Sequence, residues 1–407
     1  MRIATANNYS ASLDSLVDRQ ASLTQAHQQL SSGKRVNLAS DDPAAAARAE
    51  RALATERLSI ANQRGVDGAI NAMTLTESAL GDATNLLQDV REALVSAGNP
   101  VQTDADRKII ANQLSDLRSQ LLGVANRADS AGNHLFGGQG SNSAPFVDAP
   151  GGVQYLGTAG ASQASVSGEG RGNGPGEALP LTLDGAPTWM QARTGNGVFE
   201  TKALTSTGTA WIGAGGVTNP AALTGSTYRI EFGVAAGATT YSVLKDGVAT
   251  AQTNQPFTPG QALQIDGMTA TISGAPANAD VFELKPSTPT LSVFDMLDRA
   301  IADLATPNRS TTAQVQTNAV NLNNVDRVLG QAIASRSQVG ATMNRIDHVS
   351  ERLSAQKLAS QTERSNAEDL DMTQAISAFT SKQTGYDAAL KAYSMVQRLS
   401  LFNYVNP

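Results

Sequence analysis

Two apolar stripes with a seven-residue period lie at opposite ends of this chain, and they constrain its fold more than any other feature. Near the start, Tyr9, Leu13, Leu16, Gln20, Leu23, His27 and Leu30 succeed one another at alternating steps of four and three. Near the end, Met372, Ile376, Phe379, Gln383, Tyr386, Leu390, Tyr393 and Gln397 do the same without a slip. Such steps put side chains on one narrow strip of a helix, a seam that pairs with another helix. At ~1.5 Å per residue, residues 371–403 form a rod of about 50 Å, which cannot fold back into a compact domain. A lone helix of this kind gains too little to offset nucleation, so each seam is expected to fray until a partner covers it.

Between the stripes the composition changes twice. Residues 136–290 hold 26 of the 36 glycines and 11 of the 15 prolines. Both residues are disfavoured inside helices and mark turns. The fold class expected is therefore α+β, a long antiparallel helical bundle or coiled coil built from both chain ends with a β-rich inserted middle. The expected domains are terminal coiled-coil helices at 1–42 and 366–407, a helical rod at 43–149 and 291–365, and a β-rich outer domain at 150–290. The aromatic content is 4% and the 41% hydrophobic fraction leans on alanine, which suits thin cores between long helices.

Local signals refine this division. Gly33 is suited to end the first helix, and Asp42 and Pro43 to be the N-cap and first residue of the next, which runs from Ala44 to about Gln63. A stripe of Val66, Ile70, Met73, Leu80, Leu87 and Leu94 continues to Gly98-Asn99-Pro100. Thr103 with Asp106 predicts a capping box for a helix striped by Ile110, Leu114, Leu117, Leu121 and Val124 and closing near Gly132. Period-two alternation predicts strands at Tyr228–Phe232, Tyr241–Leu244 and Val281–Leu284, and a hairpin of Leu263–Ile265 and Met268–Ile272 about Asp266-Gly267. The stretch Ser165–Gly176, rich in glycine, reads as a mobile loop. Ser292 with Asp295 opens a further helix, and a long one runs from about Thr311 with Val325, Leu329, Ala332, Val339, Met343, Ile346 and Leu353 on its stripe.

Several function classes fit poorly. A net charge of −6 offers no basic footprint for nucleic acid. With no cysteine there are no disulfides or thiolate metal sites, no segment is long and apolar enough to span a membrane, and the start lacks a secretory signal. His27, His134 and His348 are far apart and have no recurring ligand spacing; no nucleophile elbow or phosphate-binding loop occurs. No catalytic residue, cofactor or metal is expected. The carboxylates Asp41-Asp42 and Glu368-Asp369-Asp371 are read as helix-start chemistry, since negative charge suits a helix N-terminus. Tyr155, Trp189 and Trp211 would carry the contrasting reading of a sugar-binding adhesin on a helical stalk; a core or anchoring role suits three scattered aromatics better.

The run Leu30-Ser31-Ser32-Gly33-Lys34-Arg35-Val36-Asn37, followed by Ser40-Asp41-Asp42-Pro43-Ala44-Ala45, resembles the N-terminal signature of the flagellin superfamily, which includes the hook-associated proteins. Glu368-Asp369-Leu370-Asp371-Met372, opening a last helix that ends Leu399-Ser400-Leu401-Phe402-Asn403-Tyr404, resembles the paired C-terminal signature. Met1-Arg2-Ile3, the segment Gly132–Gly138 running on to Phe146, and the Phe402-Asn403-Tyr404 ending look more like junction proteins of that superfamily than flagellins. The resemblance implies a non-enzymatic, extracellular subunit, exported without a cleaved signal through the flagellar type III apparatus with a chaperone. It implies self-association in a small ring, with another hook-associated protein and flagellin as neighbours and no membrane insertion. Flagellin itself is the alternative. The assembly surface would then comprise Leu13, Leu16, Leu23, Leu30, Met372, Ile376, Phe379, Tyr386, Leu390 and Tyr393, and the signature residues Ser32, Gly33, Lys34, Arg35, Asp41, Asp42 and Pro43.

Overall fold

The computed structural model describes residues 2–99, 101–140, 142–166 and 177–405, with the side chains of 2–9 and 396–405 outside the description. The side chains of Tyr9 and Gln397 on the terminal stripes, and most of the glycine-rich stretch, therefore lie outside the described residues. Long helices are α1 (Arg2–Ser32), α2 (Pro43–Ala97), α3 (Asp104–Ala125), α5 (Val293–Ala305), α6 (Thr311–Glu368) and α7 (Met372–Val405). Among the described residues, fourteen strands and the short helix α4 (Gly185–Trp189) lie between α3 and α5. The chain divides into two compact units, Met1–Arg64 with Val349–Pro407, and Gly65–Val166 with Gly176–His348.

In the second unit, the α2 residues Val66, Ala69, Met73, Thr76, Leu80, Ala83, Leu87, Val90 and Leu94 are all buried. Their three-four steps make a complete heptad in which large and small side chains alternate. The stripe read from the sequence has most of the large members but misses Val90, and it lacks the small ones because Ala69, Thr76 and Ala83 carry little hydrophobic signal; it takes Ile70, which is half-buried, in place of its buried neighbour Ala69. Small residues there let a neighbouring helix approach closely enough for its knobs to seat. On α6, Asn321, Val325, Val328, Ala332, Ser335, Val339 and Ile346 form the matching buried row, with Leu329 and Met343 at its half-buried margin. Buried Ile110, Leu114, Leu117, Leu121 and Val124 complete the helical core.

The capping box of α3 forms as expected, with the Thr103 side chain accepting from the Asp106 amide and the Asp106 carboxylate accepting from the Thr103 amide. That helix ends at Ala125 and not near Gly132. Asn126 caps it, and its side-chain amide bonds both the Phe146 carbonyl (2.8 Å) and amide (2.9 Å), which turns the chain toward the first strand. Nor is there a break in α2 near Gln63: one helix runs to Ala97. The Ser292 hydroxyl caps α5 by accepting from the amides of Phe294 and Asp295.

Strands β1 (Phe146–Ala149) and β2 (Gly152–Tyr155) form a hairpin. Strands β3 (Gln163–Val166) and β4 (Glu177–Pro180) form another, so Ser165 and Val166 are paired and not loop. Phe136, Phe146, Tyr155, Trp189 and Phe294 gather into one aromatic cluster here. Trp189 stacks on Phe294 at 6.1 Å and meets Phe136 edge-on at 5.4 Å. Trp189 is buried, and the Tyr155 hydroxyl, its pKa pushed by burial up to about 12, bonds Asp184 and the Phe136 carbonyl. Both aromatics therefore serve the core.

The chain then enters a two-sheet sandwich. One sheet joins β5 (Phe199–Thr205), β14 (Val281–Pro286), β8 (Tyr228–Ala235), β9 (Ala238–Lys245) and β10 (Val248–Ala249), with β11 (Gln255–Pro256) also on β9. The other joins β12 (Ala262–Ile265), β13 (Met268–Ser273) and β6 (Trp211–Ile212), with β7 (Gly216–Val217) on β13. They share a core that includes Tyr228, Ile230, Phe232, Phe282, Ile265 and Ile272. Asp266-Gly267 is the tight turn of the predicted hairpin, with Ile265 opposite Met268 and positive φ at both turn residues. Entry and exit strands meet at a neck: the Thr194 amide donates to the Thr288 carbonyl (3.0 Å), and Ala192 bridges Leu291.

Candidate assembly interface

The interface candidates belong to the unit formed by the chain ends. Helix α1 packs against α7. His27 faces Phe379 at 6.3 Å, Lys382 Nζ reaches the Ser22 carbonyl at 3.5 Å, and Gly385 lies against the Arg19 guanidinium. Position numbers fall along α1 as they rise along α7, so the pair is antiparallel. His27 on the first stripe is thus a contact residue of a helix pair.

That pairing covers the stripes only in part. Ala26 is buried, while Leu16, Leu23, Leu30, Phe379, Tyr386 and Tyr393 are half-buried. Leu13 (43%), Met372 (46%), Ile376 (53%) and Leu390 (41%) remain exposed, and so do Val17 and Met395, which the stripes do not include. Exposed apolar side chains of this size, repeated along a pair of helices, make this face a candidate contact surface.

The two signature segments meet. Gly33, at φ +69°, ends α1, a left-handed turn that glycine enters without steric cost. Its carbonyl accepts from the Leu370 amide (3.0 Å), and the Arg35 amide donates to the Glu368 carbonyl (2.7 Å). Lys34 and Asp369 thereby form a single antiparallel β-bridge. Side chains reinforce it: Lys34 Nζ is 3.0 Å from Glu368 Oε1, and the Arg35 guanidinium donates to the Ala367 carbonyl (2.9 Å) and to Asp42 Oδ2 (3.2 Å). Ser32 Oγ accepts from the Lys34 amide.

The acidic residues divide by role. Asp42 Oδ1 accepts from the Ala45 amide at 2.9 Å and opens α2, with Pro43 as its first residue. The Ala45 amide and then the Arg35 guanidinium hold the Asp42 carboxyl below its ordinary range. Asp41 Oδ2 instead closes the loop, accepting from the amides of Asn37 and Leu38, both at 3.0 Å. Asp371 Oδ1 caps α7 through the amides of Thr373 and Gln374. Glu368 and Asp369 depart from the helix-start reading: Glu368 is the last residue of α6, and the Asp369 carboxylate accepts from Ser365 on that same last turn. The sequence does not reveal this because a helix break after Glu368 leaves no glycine or proline behind it.

A third motif, Gly132–Gly138, forms the corner at which α3 gives way to strands. His134 Nδ1 is bonded to the Asn126 carbonyl at 2.7 Å, and Leu135 and Phe136 are buried. Gly138 has φ +68°, and a Cβ there would collide with the Thr158 carbonyl oxygen. Among the described residues there is no group of three side chains arranged to hold a metal, and no helix is long and apolar enough to cross a membrane.

A family model described as the bacterial flagellin N-terminal helical region matches residues 3–141, and one described as the C-terminal helical region matches 322–405. Together they take in more than half of the chain, which belongs to the flagellin family. Within it, the chain groups with the hook-associated proteins 3. The flagellar hook-associated protein 3 of Escherichia coli strain K12 is 25% identical over 406 residues, 99% of each chain. The crystal structure of flagellar hook-associated protein 3 from Legionella pneumophila is 28% identical with a TM-score of 0.69, covering 77% of this chain and 96% of that one. That of FlgL from Xanthomonas campestris is 27% identical with a TM-score of 0.67, covering 78% and 99%. Flagellin of Salmonella derby, by contrast, matches at 38% over 114 residues, 28% of this chain.

Proposed function

We propose that this chain is a structural subunit that connects hook and filament in the bacterial flagellum, without catalysis, and that it does so through the α1/α7 pair. The observation that carries the reading is the row of exposed apolar side chains along that pair, Leu13, Met372, Ile376 and Leu390. The bridge between Lys34 and Asp369 fixes the roots of both helices, so the row is presented as one surface. Its occupants are further copies of the chain in a ring, the other hook-associated junction protein on one side and flagellin on the other. The chain reaches that place outside the cell through the flagellar export apparatus, escorted by a chaperone. In the expected division, residues 1–42 and 366–407 assemble, 43–149 and 291–365 form the rod, and 150–290 face outward.

Similarity along the whole length to hook-associated protein 3 supports this reading over flagellin, whose likeness in a direct comparison takes in 28% of this chain. Deletion of the gene, with and without a plasmid copy, tests it. Cells lacking the chain should keep their hooks and release flagellin monomers into the medium, and the plasmid should restore filaments. Filaments of ordinary length on the deletion strain would overturn the proposal.

A further inference from the structure

Below the signature bridge, the seam between α2 and α6 contains a charge. Ala45, Ala49, Ala52, Glu56, Ser59 and Asn62 are the buried residues of α2 in this unit. Five of these six are separated by steps of four and three, and Glu56 occupies the step that an apolar residue would normally fill. Its side chain is 10% exposed. Both oxygens are engaged by α6, Oε1 accepting from Gln361 Nε2 and Oε2 from Arg364 NH1, each at 2.8 Å. Arg364 Nε lies 3.5 Å from Glu368 Oε1, the oxygen that also meets Lys34 Nζ at 3.0 Å. The side chain of Glu368 is 17% exposed. A continuous relay, Glu56–Arg364–Glu368–Lys34, thus runs from the seam of α2 and α6 to the loop that ends α1.

Stability does not explain this arrangement. A buried ion pair costs desolvation that its attraction barely repays, and well-packed apolar residues of similar volume are often as stable or more so. A single polar group on an apolar seam has another effect. It permits only the register in which its partners meet it, since any slip of one helix along the other strands the charge. Here the partners also set the position of Glu368, whose carbonyl accepts from Arg35.

We infer that Glu56 and Arg364 are positioning residues for assembly: they fix the register of α2 against α6 and, through Glu368 and Lys34, the bridge from which α1 and α7 project. The inference rests on the proposed role of the α1/α7 pair, but its first readout does not depend on that role. The relay acts on geometry, so removing it separates stability from assembly, which a merely structural ion pair would not do.

The test uses the full chain carrying Glu56→Leu with Arg364→Met, and separately Glu56→Gln, which keeps the shape and removes the charge. Hydrogen exchange of the Arg35 and Leu370 amides is measured on purified protein, alongside thermal unfolding and rescue of filament formation in the deletion strain. The double variant should unfold at the parental temperature or above, while the two amides exchange roughly tenfold faster or more as the bridge opens locally. Filament rescue should fall by a similar factor. Should the double variant not fold, Glu56→Gln carries the same expectations for exchange and rescue. Parental exchange at both amides in a folded variant overturns the inference, as does parental rescue despite faster exchange. Failure of the unsubstituted chain to rescue would instead remove the proposed function and leave the exchange result standing.

Discussion

The Arg35 amide donates to the Glu368 carbonyl across 2.7 Å, and this bond unites two segments that lie 332 positions apart when measured from Arg35 to its other contact, Ala367. Each segment reads in the sequence as a separate helix junction. Together they are one joint, in which α1 ends, α2 starts, α6 ends and α7 starts.

Substitution at this joint should act on the helix roots. Gly33→Val requires a β-branched residue at φ +69°, a conformation costing roughly 1–2 kcal/mol even before the lost bridge is counted. Limited proteolysis should cut the 33–42 loop of the variant faster than that of the parent, while buried amides of α3 keep their protection.

The corner glycine is under a harder constraint. Adding a methyl group at Gly138 places it in the Thr158 carbonyl, which backbone cannot yield cheaply. Gly138→Ala should lower stability by about 2 kcal/mol or more, read by denaturant unfolding with Trp189 fluorescence as the probe. By contrast Ala236 occupies a two-residue hairpin turn at φ +50°. Ala236→Gly should be stabilising by up to about 1 kcal/mol, since the strain relieved exceeds the entropy lost.

Arg118 sets a pH limit. Its guanidinium makes paired bonds to Asp148 at 2.8 and 2.9 Å and a further bond to Asp298 at 3.0 Å, tying α3 to β1 and α5. The Arg118 bonds hold the Asp148 carboxyl below its ordinary value of 3.8. A carboxyl depressed in the folded state contributes stability above that value, and the contribution is lost as pH falls through the lower folded value. Stability should therefore decline below about pH 4, and Asp148→Asn should be less stable than the parent at neutral pH and converge with it in acid.

The sandwich should be separable. Thr194 and Thr288 are hydrogen-bonded neighbours at the neck, so joining them with about three glycines in place of residues 195–287 closes a short loop without stretching the chain. Such a deletion spares Phe146 and Trp189, which pack on Phe294. The shortened chain should unfold cooperatively and retain the near-ultraviolet signal of Trp189, although the bonds of Gln316 to Ile212 are lost.

Long periodic segments are legible in the sequence because burial on one face of a helix leaves a repeat there. The α3 stripe, the Asp266-Gly267 hairpin and most large members of the α2 heptad are examples. The small members are hidden, since Ala69 and Ala83 look alike whether buried or exposed. The role of Glu56 is hidden too, because a carboxylate in an alanine-rich helix ordinarily faces solvent. The junction of Lys34 with Asp369 depends on tertiary pairing that no local pattern encodes. The end of α3 escapes a local reading because Asn126 stops the helix through bonds to Phe146, twenty residues on.

On the proposed reading, the terminal stripes serve assembly and not the stability of the monomer. Leu13 is 43% exposed, and Leu16 and Leu23 are half-buried. The decisive measurement compares thermal unfolding and filament rescue on one variant, Leu13→Ser with Leu16→Ser and Leu23→Ser, with Leu87→Ala as the core control. The control removes a fully buried side chain and should cost about 2–5 kcal/mol. The triple variant should unfold within a few degrees of the parent yet fail to restore filaments; a large loss of stability, or full rescue, would contradict this reading.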